Sequence, residues 1–217
     1  MEIDWPIVRM AIPLLAQGAV ITLWISAVAI VIGIAGGVVL GLISLSGSRI
    51  GRGLVAAYVD FVRGTPLLIQ IFLIFFVLPL LGIRLSEVWA GIVALGFNAT
   101  GYIAEIVRGT VGSVERGQAE AARSIGLTEP KILIHVLLPQ ALRPMLPALT
   151  NELITLVKNS SLLSVISVYE LTRAGQAIIT TYFVPLEIYV LLALFYYGII
   201  TALARLSRLI ERRLPVW

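Results

Sequence analysis

Cysteine is absent from the 217 residues, and histidine occurs once, at His135. No disulfide framework, thiolate metal site or thiol nucleophile can therefore be built, and the redox compartment leaves no trace. No His/Asp/Glu cluster stands at metal-ligand spacing, which argues against an intramembrane metalloprotease. Charge is scarce as well: 13% of residues are Asp, Glu, Lys or Arg, against about 25% in an average soluble domain. There is neither a Walker-type phosphate loop nor a Gly-rich strand-to-helix turn, so the chain is not itself an ATPase and covalent catalysis is not expected. No repeat, low-complexity tract or linker interrupts it, and one membrane domain over residues 1–217 is the economical division.

What is present is apolar: 59% of residues are hydrophobic and the mean hydropathy is +1.01. An all-α, multi-pass membrane protein follows. The N-terminus carries acids (Glu2, Asp4) where a signal peptide needs basic residues, and the next apolar stretch is too long for a signal, so the first span is expected to remain in the mature protein. A helix needs about 20 mostly apolar residues to cross the hydrocarbon layer. Residues 10–48, 64–83, 88–104 and 188–204 are free of charge. A fourth span is expected over 144–168 despite Asn151, Glu152, Lys158 and Asn159, because its many Leu, Ile and Val residues would otherwise lie in water. The five expected spans are about 12–45, 64–83, 88–107, 144–168 and 186–204. Gly33, Gly36, Gly37 and Gly41 give the first of them small faces for close helix packing.

Five spans place the two ends on opposite sides of the membrane. Arg49 and Arg52 follow the first span; Arg108, Arg116, Arg123, Lys131 and Arg143 follow the third; Arg205, Arg208, Arg212 and Arg213 follow the last. The other side holds only Arg9, Arg84 and Arg173. The positive-inside rule then sets the N-terminus outside and the C-terminus in the cytoplasm. The formal net charge of +4 is thereby explained without nucleic acid. Trp5, Trp89, Tyr182 and Trp217 suit interfacial belts.

The longest polar interval lies on the cytoplasmic side, about 111–139. Its pattern suits two short amphipathic helices: Gly117 precedes the first, Gly126 closes it, and Thr128 caps a second that opens with Glu129 and Pro130. Such a pair could simply lie on lipid headgroups. The spacing Glu120-Ala121-Ala122, three residues, Gly126, then about a dozen residues to Leu138-Pro139 resembles the loop of ATP-binding-cassette importer permeases, departing at Val136 where isoleucine is usual. Tyr58 to Leu68 (Tyr-Val-Asp-Phe-Val-Arg-Gly-Thr-Pro-Leu-Leu), Gly117-Gln118, Pro139-Gln140-Ala141 and Lys158-Asn159-Ser160-Ser161-Leu162 resemble the polar amino-acid branch of that family. In joint order these motifs tile most of residues 58–175.

The resemblance implies a type I importer. Its parts would be two permease subunits, identical or similar; two cytoplasmic ATPase subunits, which bind the ATP and Mg; and an extracytoplasmic amino-acid-binding protein. No cofactor is implied in this chain. The setting would be a bacterial or archaeal cytoplasmic (inner) membrane. Gly117, Glu120, Ala121, Ala122, Arg123, Gly126 and Pro139 would couple to the ATPase: Ala121 and Ala122 allow close approach, Glu120 and Arg123 offer charges, and Gly126 supplies a left-handed turn. ATPase closure would draw two such loops together and tilt the spans.

At 100° per residue, Asn151, Glu152, Thr155, Lys158 and Asn159 share an arc of roughly 120°. Charged groups inside a span usually face the bundle interior or a wet path. On the third span Asn98, Tyr102 and Glu105 form another stripe. A rise of about 1.5 Å per residue puts Asn98 about 15 Å from one face and Thr155 about 16 Å from the other, near the midplane of a core about 30 Å thick. A small cavity lined by Asn98, Tyr102, Glu152, Thr155 and Asn159 is the expected substrate path, with Glu152 placed to hold an amino group. Relatives often carry Asp where Asn159 stands, which weakens the case for a cationic cargo. Glu152 in turn disfavours a dicarboxylic one. Equally open is that Glu152 and Lys158 only fix helix packing, although six residues is poor spacing for a pair within one helix.

Arg63, Gly64, Thr65 and Pro66 read as structural in preference to a substrate contact, which stays open: a break where a cytoplasmic amphipathic helix turns into the second span, with Arg63 at the headgroups or paired with Asp60. Glu105 and Arg108 suit a local ion pair. Glu170 to Gln176 reads as an outer loop, either a gate and dock for the binding protein or a plain surface loop. Two rival functions remain. An ion-coupled secondary transporter could use Glu152 and Glu105, but inverted repeats and broken helices are not evident. A membrane scaffold would need no polar stripe on the fourth span.

Overall fold

The computed structural model describes residues 4–211. Glu2, Arg212, Arg213 and Trp217, used above for the leader, the orientation and the interfacial belt, lie outside the described residues.

The first helix, α1 (Trp5–Leu45), starts where the Asp4 carboxylate accepts the Ile7 N–H at 3.2 Å and Pro6 needs no donor partner. It ends at Ser46-Gly47-Ser48. The Ser48 hydroxyl then caps α2 (Arg49–Gly64) through the Gly51 N–H. At Thr65-Pro66 the chain bends by 107° into α3 (Leu67–Phe72), which continues helically to Leu81. The break expected at Gly64-Thr65-Pro66 is thus present, between two helices. Gly82, at φ +88°, closes it.

Ser86 caps α4 (Glu87–Gly112). Two short helices follow, α5 (Arg116–Ser124) and α6 (Glu129–Ile132); the latter runs on into α7 (Leu138–Asn159), which tightens into a 3₁₀ segment over Ser160–Ile166. The chain ends with α8 (Leu171–Tyr182) and α9 (Pro185–Glu211). Among the described residues four helices are long and apolar enough to cross a membrane, and the bent pair α2–α3 makes a fifth if it counts as one span. Residues 170–176 form no loop, contrary to expectation: Glu170 N-caps α8, which is buried along Leu171, Ala174, Gly175 and Ile178. The fourth span also begins within a helical run from Glu129 rather than at Pro144.

Two π-type turns, Leu73–Val77 and Leu137's turn Leu133–Leu137, each end two residues before a proline, Pro79 and Pro139. Proline lacks a donor and its ring crowds the carbonyl four residues back. Widening the preceding turn removes that clash, and Leu78 and Leu138 donate instead to Leu73 and Leu133, five residues back.

α4 is the centre of the bundle, with Ile92, Leu95, Ile103 and Val107 fully buried. α1 runs parallel to it. A Cβ added at Gly33, Gly37 or Gly41 would lie 2.7, 2.5 or 2.6 Å from Ala99, Ile103 or Val107, so the backbones approach as closely as they do because no side chain intervenes. A second cluster joins Ala11 and Leu15 of α1 to Leu171 and Ala174 of α8 and Ile188 and Leu192 of α9. A third lays Val55 and Val59 of α2 over Ala104.

Candidate functional site

The α5–α6 hairpin presents one side to the protein and one to its surroundings. Ala122 and Ile132 are buried at 5% and 1% exposure, whereas Gly117, Glu120, Ala121 and Gly126 are exposed. Ala121 is thus open to a partner, while Ala122 serves the hairpin's own packing. Gly126 has φ +83°. The Leu127 N–H bonds the Ala122 carbonyl at 3.1 Å and the Gly126 N–H bonds Arg123 at 2.9 Å, the Schellman geometry that ends a helix and favours glycine there. Gly117 lies inside the first turn of α5 rather than before it, and Thr128 precedes α6 without a side-chain cap bond. Arg123 is spent within the hairpin: its guanidinium forks the Glu129 carboxylate at 2.6 and 3.1 Å, linking α5 to α6 across the exposed turn. Glu120, on the outer side, has no ion-pair partner among the described residues. Beside it Ile125 is 78% exposed, a bare aliphatic side chain at the turn. Pro139 is exposed at the start of α7.

The residues expected to line a path fall into two groups. On α7, Asn151, Thr155 and Lys158 are exposed and Asn159 is half-buried, so one polar face of the helix is open. Glu152 is 9% exposed and has neither an ion-pair nor a hydrogen-bond partner among the described residues. Thr155 Oγ1 donates to the Asn151 carbonyl one turn back. On α4, Tyr102 is 39% exposed. Asn98 is turned the other way: it is buried, and its amide donates to Gln70 Oε1 at 3.0 Å. No hydrogen bond joins any two of Asn98, Tyr102, Glu152, Thr155 and Asn159 among the described residues.

Asn98 instead belongs to the bend. Gln70 Nε2 donates to the Val62 carbonyl (2.9 Å), to the Thr65 carbonyl (3.2 Å) and to Thr65 Oγ1 (2.9 Å). One buried amide therefore bridges the carbonyls freed at Gly64-Thr65-Pro66 and ties them to α4. Arg63 sits 3.6 Å from Glu105 rather than beside Asp60, and Glu105 also receives the Arg108 fork, both bonds at 2.8 Å. Gln70 was missed in the sequence, although it is the one polar side chain between Pro66 and Leu81.

A second missed group centres on Glu170, which is fully buried. Its carboxylate accepts the backbone N–H groups of Thr172 (2.9 Å) and Arg173 (2.8 Å), the Tyr196 hydroxyl (3.1 Å) and, more loosely, the Thr22 hydroxyl (3.4 Å). Thr22 Oγ1 also accepts the Leu171 N–H at 3.1 Å. Burial pushes the Glu170 carboxyl above its ordinary value, and those hydrogen bonds pull the other way without cancelling the rise. The node pins α8 to α1 and α9.

Residues 33–216 match the family of binding-protein-dependent transport system inner membrane components. The chain is 41% identical to the glutamine transport system permease protein GlnP of Escherichia coli (strain K12), covering 100% of both chains. It is 37% identical to the arginine transport system permease protein ArtQ of Bacillus subtilis (strain 168), covering 99% of this chain and 98% of that one. Among solved structures it superposes on an amino acid ABC transporter crystallised with histidines at a TM-score of 0.92, with 35% identity over 99% of this chain and 100% of the other. The MetNI methionine ABC transporter in an inward-facing form gives a TM-score of 0.73 at 28% identity, covering 90% and 95%.

Proposed function

Because the chain belongs to the family of binding-protein-dependent transport system inner membrane components, we propose that it is the permease subunit of an ATP-driven amino-acid importer. It pairs with a second permease, identical or similar, takes cargo from an extracytoplasmic binding protein, and is driven by two cytoplasmic ATPase subunits that hold the ATP and Mg. Its place is a bacterial or archaeal inner membrane, with the N-terminus outside and the C-terminus inside. The cargo is a polar amino acid, in keeping with the glutamine and arginine systems to which its relatives belong.

The observation that carries this is the α5–α6 hairpin. Its inner side is packed through Ala122 and Ile132, the exposed Arg123–Glu129 fork links its two helices, and its outer side offers Glu120, Ala121, Ile125 and Gly126. A rigid hairpin with a bare aliphatic tip suits force transmission: a partner groove that takes Ile125 removes it from water, and the stiff hairpin passes displacement to α4 and α7. Thr155 and Asn159 on the polar face of α7, the buried Glu152 beside them and Tyr102 of α4 line the path. Glu152 is the candidate to meet the cargo's ammonium group; Asn98 acts behind them by holding the bend.

The test is reconstitution of the importer in proteoliposomes, with amino-acid uptake and ATP hydrolysis measured together. Gly126→Ala forces a side-chain-bearing residue into left-handed geometry at a cost of roughly 1–2 kcal/mol. It is expected to lower uptake per ATP hydrolysed, leaving cargo selectivity unchanged. Full coupling in Gly126→Ala and in Glu120→Gln would remove the hairpin from the mechanism. In parallel, Glu152→Gln should change uptake across a panel of amino acids; unchanged selectivity takes Glu152 out of the path.

A further inference from the structure

α2 lies across the bundle rather than along it. Val55 and Val59 cluster with Ala104, yet Arg63, at the far end of α2, reaches Glu105, one residue further along α4. Position along α4 changes instead with the face of α2: the Tyr58 hydroxyl bonds the Phe97 carbonyl at 2.6 Å, and Phe61 meets the Phe97 ring at 6.4 Å. Glu105 is two turns, about 12 Å, beyond Phe97. One edge of α2 therefore points into the span region and the other towards the ends of α1 and α4, on the side of the α5–α6 hairpin. The 107° bend at Thr65-Pro66 then turns the chain out of this transverse course.

Three stripes cover α2, each within an arc of about 60° at 100° per residue. Val55, Val59 and Val62 face the protein and are buried. Ile50, Leu54, Ala57 and Phe61 form an exposed apolar stripe, with Ile50 at 79% and Leu54 at 69% exposure. Arg49, Arg52 and Arg63 form the third, with Asp60 at its margin. Glu105 is already taken up by Arg108, and neither Arg49 nor Arg52 has an ion-pair partner among the described residues. Arg52 reaches only the Ser46 carbonyl, at 3.4 Å.

On the apolar edge a groove of about 500 Å³ opens between α1 and α4, with Ile32, Gly36, Val39, Tyr58, Val93 and Phe97 in its lining. Its hydroxyls are already satisfied. Tyr58 donates to Phe97, and Thr100 donates to the Gly96 carbonyl. An apolar guest suits a groove without free polar groups, set among membrane spans.

We propose that α2 is a membrane-surface helix that binds an anionic phospholipid of the leaflet on the hairpin side. Arg49 and Arg52 meet the headgroup phosphate; the Ile50–Leu54–Phe61 stripe and the groove beside Tyr58 take the acyl chains. An unpartnered apolar stripe next to unpaired arginines is the pattern by which an interfacial helix joins hydrophobic insertion to attraction for anionic lipid. Through Thr65 and Gln70 the same helix connects to α4, so its lipid would bear on the bend.

The test is lipid binding to the full-length protein in detergent micelles, measured by native mass spectrometry with phosphatidylglycerol and phosphatidylcholine of identical acyl composition. It needs no transport, so it stands or falls apart from the importer function. Phosphatidylglycerol should bind in preference and be released by salt. Each arginine removed should weaken it about fivefold, so Arg49→Gln with Arg52→Gln gives about a 30-fold loss while phosphatidylcholine binding is unchanged. The double change to Lys should retain binding, which separates charge loss from misfolding. Equal binding of the two lipids, salt-independent phosphatidylglycerol binding, or full binding by the double Gln variant would overturn the assignment.

Discussion

Removing the Glu170 carboxylate should loosen α8 from the bundle. In Glu170→Ala the N-cap of α8 is lost, which costs about 1 kcal/mol. The Tyr196 and Thr172 hydroxyls, 2.8 Å apart, can still satisfy each other, but the buried Thr22 hydroxyl loses its acceptor, at about 1–3 kcal/mol for a group left unpaired. The total is about 3 kcal/mol, equivalent to a fall in melting temperature of about 6–12 °C for a chain of this size. Glu170→Gln keeps the shape and one acceptor oxygen, and should lose about half as much. Thermal unfolding of the detergent-solubilised protein is the assay. The sign of the pH effect is fixed by the upward displacement of the carboxyl. A group that holds its proton more tightly when folded makes stability fall as pH rises from the ordinary carboxylate value, about 4.3, through its raised value. Wild type should show that slope relative to Glu170→Gln. A Glu170→Ala melting temperature within 2 °C of wild type, or parallel pH curves for wild type and Glu170→Gln, would refute the node's role.

Gly37→Ala places a Cβ 2.5 Å from the branched side chain of Ile103 and should destabilise by about 1–3 kcal/mol. Gly53→Ala meets nothing within 4 Å and should be neutral or stabilise by up to about 1 kcal/mol, so the pair of melting temperatures separates packing from helix propensity. Gln70→Leu leaves the Val62 and Thr65 carbonyls and the Asn98 amide short of partners and should cost about 1–3 kcal/mol. Uptake should fall with it, and amide hydrogen exchange should rise first around residues 62–70; protection unchanged there would show that the bend does not depend on the amide.

Charge-free runs located the helices because hydrocarbon tolerates few charges, and the break at Gly64-Thr65-Pro66 was legible because proline leaves no other local course. Gly126 could be placed from sequence for a similarly local reason, since a helix followed by glycine calls for the left-handed turn. What was hidden depends on partners distant in the chain. Asn98 is separated from Gln70 by 28 residues and Glu170 from Thr22 by 148, and no spacing rule on one helix reveals such pairs. The same limit put Asn98 in the expected path when its amide faces the bend, and made a loop of residues 170–176, whose amphipathic pattern is visible only once α1 and α9 are there to bury it. Arg123 was offered to a partner because Glu129, six residues on, becomes its neighbour only after the Gly126 turn.

The absence of cysteine allows the central claim to be tested by single-cysteine cross-linking in the assembled importer. Ile125→Cys, at the exposed tip of the hairpin, should cross-link to the ATPase subunit, while Phe183→Cys, 84% exposed at the end of α8, should not. No ATPase cross-link from position 125, or equal cross-linking from both positions, would contradict coupling through this hairpin.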